Sequence, residues 1–226
     1  MIGIVFLTVV SILIFLGLAH RVLDRLYLTD RSGLLFIGAM IIGSFIDIPL
    51  WRNPDITLNV GGGLLPLFLA MYVLFKAGSG KEVFRTIVGI LLTIGIIYGV
   101  NRLYRYDTAE GFIEPQYLWA IIAALVGYLI GRSRRLAFIV AILGILALDI
   151  VHIFETVATK TNSATRIGGG GVFDTIVIAG VLAVLLAELI GESREYLQGG
   201  PASTGRDPEL LAGLQEPNTF EEDEKK

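Results

Sequence analysis

The sequence predicts an all-α integral membrane protein with about seven transmembrane helices. Hydrophobic residues make up 54% of the 226 residues and the mean hydropathy is +0.72, whereas soluble domains are about 45–50% apolar even when Gly is counted. The apolar residues fall in blocks of roughly 15–19, separated by short charged loops, and such blocks suit short transmembrane helices. The chain contains no cysteine, which excludes thiol chemistry and Cys-ligated metals.

Seven apolar runs are the predicted spans. They are Ile2–Ala19, Leu34–Leu50, Val60–Phe75, Val83–Val100, Tyr117–Gly131, Leu136–Ile153 and Val172–Ile190. The first run lacks the basic segment that precedes the apolar part of a cleaved signal peptide, so we expect it to remain as a transmembrane helix.

Basic side chains are distributed unevenly between alternate loops, and this predicts the orientation. The loops after the first, third and fifth runs carry the clusters Arg21, Arg25 and Arg31, then Lys76 and Lys81, then Arg132, Arg134 and Arg135. Because cytoplasmic loops carry the excess of Lys and Arg, we expect the N-terminus outside and the C-terminus in the cytoplasm.

The end of the chain differs in composition from the rest. Residues 1–192 form the predicted transmembrane domain, whereas residues 193–226 are rich in Gly, Pro and charge. Such a segment cannot bury a core, so it predicts a disordered, acidic cytoplasmic tail. The net charge of −3 owes much to this tail and therefore gives no indication of a nucleic-acid partner.

The two halves of the apolar region are similar to each other. "LLFIGAMIIGSFIDIPL" (residues 34–50) aligns with "LAFIVAILGILALDIVH" (residues 136–152), and Asp47 falls on Asp149. This similarity favours an internal duplication into parallel three-helix repeats, which is a recurring plan of transporters. The predicted repeats cover about residues 2–76 and 117–190, and the linking helix covers residues 83–100.

A glycine run follows the aligned stretch in each half. "GGGLLPLFLAMYVL" (Gly61–Leu74) aligns with "GGGVFDTIVIAGVL" (Gly169–Leu182), and Pro66 falls on Asp174. Glycine runs form poor helix but allow unusual backbone angles and close approach. In hydrocarbon such backbone survives only inside protein or against water. The runs therefore predict broken or re-entrant helix starts, whose free N–H groups would favour an anion.

Intramembrane carboxylates are the other candidates for function. Asp149 lies within the sixth run, and ionisable residues in spans are functional-site candidates. Asp174 lies in the first turn of the last helix, where the helix dipole favours a negative charge. If the two carboxylates meet, they could hold one proton between them; alternatively each caps backbone groups or reaches interfacial water.

The candidate site for a substrate or ion combines these features. Its predicted members are Asp47, Asn59, Gly61, Gly62, Gly63, Asp149, Gly169, Gly170, Gly171 and Asp174. Asn59 and Pro66 are also explained as a loop and a kink. We predict no cofactor and no metal site, because His152 and Glu155 alone do not make one. Glu188 is expected near the inner end of the last helix, within reach of water.

Two stretches carry a resemblance to a known family. They read "IDIPL…NVGGGLLPLFLAMYVL" and "LALDIV…RIGGGGVFDTIVIAGVLAVLLA". With them, about residues 1–192 resemble a prokaryotic membrane family known as domain of unknown function 1614, and the glycine–Phe-Asp motif is the most specific part. The resemblance implies a protein of a prokaryotic plasma membrane and supplies no activity.

The same carboxylates are similar in outline to those of presenilin and signal-peptide-peptidase-like aspartyl proteases. These place one Asp in a span and a second Asp, after glycines, in the next span, as with Asp149 and Asp174. The resemblance implies that these two residues are catalytic. Phe173 stands where that motif has Gly, and no later helix carries its Pro-Ala-Leu element.

Three functions therefore remain open on the sequence. The repeats and intramembrane carboxylates favour an ion-coupled secondary transporter for an unidentified small solute or ion, with its site in the outer half of the membrane. The resemblance to aspartyl proteases favours intramembrane cleavage by Asp149 and Asp174, the only enzymatic alternative. A non-catalytic membrane scaffold, packed through its small residues, is the third.

Overall fold

The computed structural model describes residues 26, 28, 30–52, 54–77, 79–103, 115–131, 133–160 and 163–197. Most of these residues lie in the α-helices α1 Asp30–Gly43, α2 Leu65–Ala77, α3 Gly80–Leu103, α4 Pro115–Gly131, α5 Arg134–Ala158 and α6 Thr175–Leu197. The three strands are β1 Asp47–Arg52, β2 Asp55–Asn59 and β3 Thr165–Ile167. The first predicted span, Ile2–Ala19, and the tail beyond residue 197 lie outside the described residues.

Helix α5 is the one around which the others pack, since α2, α3 and α4 all contact it. Its residues from Leu136 to Ile142 are buried without interruption. This stretch is apolar on every side, as expected for a helix surrounded by other helices. Ser133 caps its start, because the Ser133 hydroxyl accepts a hydrogen bond of 3.3 Å from the Leu136 N–H.

Small residues bring α4 close to α5. The buried positions of α4 are almost all Ala or Gly, and Gly127 is among them. A Cβ atom on Gly127 would lie 2.5 Å from the Ala137 carbonyl oxygen of α5. The two backbones can therefore approach only because the side chains between them are so small, as is common between helices in membranes.

Helix α3 buries a narrow stripe and exposes the rest. The buried residues Thr86, Gly89, Thr93 and Ile97 lie three or four positions apart. Gly89 faces Val140 of α5, and Thr93 faces Gly144. Most of the other apolar side chains of α3 are exposed: Val83, Phe84, Ile87, Leu91, Leu92, Ile96, Tyr98 and Leu103.

Two of the described helices, α3 and α5, are long and apolar enough to cross a membrane by their length and composition. They match the fourth and sixth predicted spans, extended by a few residues at each end. The other apolar helical segments, around α1, α2, α4 and the start of α6, are shorter, at 10–17 residues.

A small sheet lies among these helices, so the prediction of an all-α fold is wrong in this respect. Strands β1 and β2 form an antiparallel hairpin, and β2 pairs with β3 in parallel. The order across the sheet is β1-β2-β3. The parallel pair places Leu58 beside Ile167. Both strands therefore lead into the glycine runs, which begin at Gly61 and Gly168.

The predicted second span, Leu34–Leu50, is also corrected. The helix ends at Gly43, and Asp47 begins β1. Pro49 explains part of the difference, because proline lacks the N–H that a helix interior needs and disfavours helical geometry in the residue before it. The aligned stretch of the second half has no proline, and α5 continues to Ala158. The two stretches thus differ in structure although their sequences are similar.

The predicted third span, Val60–Phe75, begins with one irregular turn. Residues Val60–Leu64 form a π-helical turn, and α2 follows from Leu65. Pro66 is the second residue of α2 and directly follows this turn, whose last hydrogen bond runs from the Leu65 N–H to the Val60 carbonyl oxygen. The proline, which lacks an N–H, thus lies where the irregular turn changes to regular α-helix.

Contacts divide the chain into a unit that runs to Glu188 and a second unit that begins at Leu189. The packing above belongs to the first unit. In the second, the described residues are the last part of α6, where the Ser193 hydroxyl donates to the Leu189 carbonyl oxygen over 2.7 Å.

Candidate functional site

Asn59 lies at the centre of a hydrogen-bond network in the first half of the chain. It is 2% exposed and lies two positions before the first glycine run. Its Nδ2 donates to the Ser44 carbonyl oxygen and to Oδ1 of Asp47, each over 2.9 Å. Its Oδ1 accepts from the Gly62 N–H over 2.9 Å. Asn59 therefore caps the π-helical turn and ties it to the end of α1 and to β1.

Ser44 connects this network to the second half. Its hydroxyl donates to the Met40 carbonyl oxygen over 2.7 Å and accepts from the Val172 N–H over 3.0 Å. The bond to Val172 joins residues 128 positions apart. Sequence analysis missed Ser44, because a serine at the end of an apolar run gives no signal of so distant a partner.

We expect Asn59→Ala to lower the free energy of unfolding by about 2 kcal/mol, because it leaves the buried Gly62 N–H and Ser44 carbonyl without their partner. Thermal unfolding of the detergent-solubilised protein measures this. The matched control is Asn101→Ala, since the exposed Asn101 only accepts a bond from Trp119 Nε1. Equal shifts of the melting temperature in the two variants would contradict the capping role.

The two glycine runs pack directly against each other. A Cβ atom on Gly62 would lie 2.3 Å from the Gly168 carbonyl oxygen and 2.5 Å from that of Gly171. A Cβ atom on Gly168 would lie 2.2 Å from the Gly63 nitrogen. Gly168 and Gly171 also have positive φ values of 68° and 61°, which glycine adopts readily. The glycines thus allow direct backbone contact between the first and second halves of the chain. They also lie at the start of α2 and α6.

Asp174 caps the start of α6. Its Oδ1 accepts a hydrogen bond of 3.0 Å from the Ile176 N–H, and its Oδ2 accepts one of 3.0 Å from the Gly170 N–H. Both carboxylate oxygens are therefore fixed by the backbone, and the dipole of α6 favours their negative charge. Gly170, a predicted site residue, is thereby a direct partner of Asp174.

Asp149 lies inside α5 and is half-buried. Gly180 of α6 lies against Ile142 of α5, and Glu188 lies against Arg134, so the two helices run antiparallel. Asp174 precedes Gly180 by about as many residues as Asp149 follows Ile142, and the two carboxyl groups therefore lie at the same end of this seam. None of the described residues forms a hydrogen bond with its side chain. The result is an asymmetric pair, in which one carboxylate is held by backbone N–H groups and the other has no such support.

The remaining predicted site residues lie in different surroundings. Asp47 is exposed on β1 and accepts its bond from Asn59. Gly61 and Gly63 lie beside Gly62 in the buried π-helical turn. Gly169 lies in the turn before Gly170, where a Cβ atom would meet the Arg166 side chain.

Metal-ligating residues do not cluster in the part of the chain that the structure describes: no three His, Cys, Asp or Glu side chains there could share an ion. His152 Nδ1 and a Glu155 oxygen are 4.0 Å apart on the exposed part of α5.

Glu188 differs from expectation. It was expected to reach water, but it is 1% exposed and pairs with Arg134 at the start of α5. The reason lies in helix packing: Ala183, Val184 and Ala187 are buried beside it on α6, so the whole face is turned inward.

Comparison with known proteins gives a match to one family. A family model described as "Protein of unknown function (DUF1614)" matches residues 29–186, which include both glycine runs and all three carboxylates of the predicted site. No curated protein and no solved structure matches the chain.

Proposed function

The chain belongs to the DUF1614 family, and we propose that it is a multi-pass membrane protein that carries a proton or small cation across a prokaryotic plasma membrane at Asp149. The observation that carries this proposal is the asymmetric pair of Asp149 and Asp174. The proposed topology has seven spans, with the N-terminus outside and the C-terminus in the cytoplasm.

The exposed surface of the helices supports the membrane environment. Helix α3 exposes large aliphatic and aromatic side chains along most of its length, which would be costly in water. Its 24 residues span about 36 Å at 1.5 Å per residue, enough for a hydrocarbon core of about 30 Å. Its buried stripe of Thr and Gly is also typical of helix contacts in lipid.

The asymmetric pair supports ion binding. Two carboxylates that interact in a poorly solvated site are unstable when both are anions, so one of them takes up a proton or a cation. Asp174 has both oxygens engaged by N–H groups, which stabilise it as the anion. Asp149 has no described hydrogen-bond donor, so it is the group that would bind and release the ion.

Proteoliposomes test the proposal directly. The purified full chain is reconstituted with an entrapped pH indicator or cation indicator, and gradients of H⁺, Na⁺ or K⁺ are imposed in turn. We expect flux of at least one of these ions above that of protein-free liposomes. No flux of any of the three in correctly inserted protein would overturn the proposal.

A second candidate, an intramembrane aspartyl protease, is favoured by the proximity of the same two carboxyl groups. Such an enzyme needs one carboxylate as general base towards water and the other as general acid. The two backbone bonds to Asp174 suit a fixed anion better than an acid that exchanges its proton in each cycle. This is why the carrier is preferred.

The variant Asp174→Asn separates the two candidates. Asparagine is also a good helix cap, and its oxygen can still accept the Ile176 N–H. A carrier that depends on Asp149 should therefore keep measurable flux, reduced by less than about tenfold. A protease would lose all cleavage of a reconstituted membrane-spanning reporter peptide, as it would in Asp149→Asn. If the wild type cleaves the reporter peptide and both variants fail to cleave it, the protein is a protease and the carrier proposal is wrong.

A further inference from the structure

The pair formed by Arg134 and Glu188 is unused by the proposed site. Nε of Arg134 contacts Oε2 of Glu188, and the side chains are 23% and 1% exposed, respectively. Both carboxylate oxygens of Glu188 are buried, and neither accepts a hydrogen bond from the described residues. A buried carboxylate that is supported only by an ion pair is costly and calls for a reason.

The pair lies at the opposite end of the same two helices from the acidic pair. At a rise of 1.5 Å per residue, Arg134 is roughly 22 Å along α5 from Asp149, and Glu188 is roughly 21 Å along α6 from Asp174. Helices α5 and α6 therefore carry one pair of charged side chains near each end of their shared seam.

The seam between these ends is apolar and closely packed. A Cβ atom on Gly180 would lie 2.8 Å from the Ile142 side chain and 3.2 Å from that of Phe138. Ala179 and Ala183 of α6 are fully buried. An ion bound at Asp149 thus has no polar path along this seam towards the other end while the helices keep this packing.

We propose that Arg134 and Glu188 form a gate that closes the inner end of the α5–α6 seam while the Asp149 end holds its ion. The inference rests on the proposed carrier function, in which access must alternate between the two sides. In the orientation given above, this end faces the cytoplasm, and the gate parts to release the ion there.

The chemistry of the pair suits a contact that opens and closes. Its attraction is offset by the desolvation of both ions, so a buried pair holds helices together less firmly than its geometry suggests. Arg134 retains contact with solvent, so its charge can return to water through a small movement. Glu188 gains its missing partners as soon as water enters.

Thiol labelling tests the gate without reference to flux, because the chain contains no cysteine. Ala187→Cys places one thiol at a buried position beside Glu188, and a membrane-impermeant maleimide is added from the cytoplasmic side in inverted vesicles. Adding Glu188→Gln should speed labelling by at least about tenfold, since the closed contact is lost and local opening becomes easier. Charge exchange, Arg134→Glu with Glu188→Arg, should restore protection.

Two controls sharpen the result. Glu155→Gln removes a carboxylate from an exposed pair on α5 and should leave labelling unchanged. Ala179→Cys, fully buried in the middle of the seam, should stay unlabelled in every background. If Glu188→Gln leaves the labelling rate of the Ala187→Cys thiol unchanged, the gate is overturned. It is also overturned if Glu188→Gln raises the labelling rate of Ala179→Cys equally, because the pair would then only hold the fold together. A third outcome separates the two proposals. If Glu188→Gln speeds labelling as expected but Asp149→Asn leaves ion flux intact, the proposed carrier function is wrong, whereas the closure of this end of the seam by Arg134 and Glu188 is supported.

Discussion

Asp149→Asn is expected to abolish ion flux in proteoliposomes, reducing it to the level of protein-free vesicles. The substitution keeps the size of the side chain but removes the carboxylate that would bind and release the ion. Asp174 cannot replace it, because both of its oxygens already accept backbone hydrogen bonds. Flux of the conducted ion is measured with the indicator used for the wild type.

The loss should not come from unfolding. Asp149 has no described hydrogen bond to lose, and it lies at the same end of the α5–α6 seam as the like charge of Asp174. Removing that charge should therefore leave the melting temperature unchanged or raise it. The control is Glu155→Gln, which removes an exposed carboxylate one to two turns further along the same helix and should keep full flux. Unaltered flux in a well-folded Asp149→Asn protein would exclude Asp149 as the ion-binding group.

Gly62→Ala and Gly168→Ala are expected to prevent folding, each with a loss of more than about 4 kcal/mol. The new Cβ atoms would lie 2.3 Å and 2.2 Å from backbone atoms of the opposite glycine run. No rotation of a side chain can relieve this, because the atoms in the way belong to the main chain. Alanine at position 168 would additionally be strained, because the backbone there has a positive φ of 68°.

The controls are Gly38→Ala and Gly95→Ala, since a Cβ atom at either position meets nothing within 4 Å. Both lie inside helices, where alanine is favoured over glycine by up to about 1 kcal/mol. Size-exclusion chromatography and thermal unfolding in detergent distinguish the two pairs of variants. Normal yield and melting of Gly62→Ala would show that the two runs do not pack as described.

The sequence predicted the long helices well, because their signal is local. α3 and α5 extend the predicted runs Val83–Val100 and Leu136–Ile153 by a few residues at each end. Apolar length alone decides such elements. The cap by Asp174 was also within reach of the sequence, since a carboxylate before an apolar run is a known helix start.

The sheet and the contact between glycine runs were not predictable in the same way. The second pairing partner of β2 is β3, which lies far along the chain. No local sequence pattern predicts such a pairing. The stretch around Asp47 is apolar enough to continue a helix, and only Pro49 argues against it. Glu188 was misjudged for a related reason: its burial comes from the inward face of α6, and its partner Arg134 is distant in the sequence.

The pairing of β2 with β3 also fixes an order of events during synthesis. The ribosome must release Thr165–Ile167 before β2 can complete its sheet and before Ser44 can bind the Val172 N–H. Helices α3, α4 and α5 are synthesised between these two segments. The first glycine run therefore has no partner until they have been made, and closing so long a loop is a slow, late step. A truncation before Thr165 would leave a half-built nascent protein, which quality-control proteases would be expected to remove.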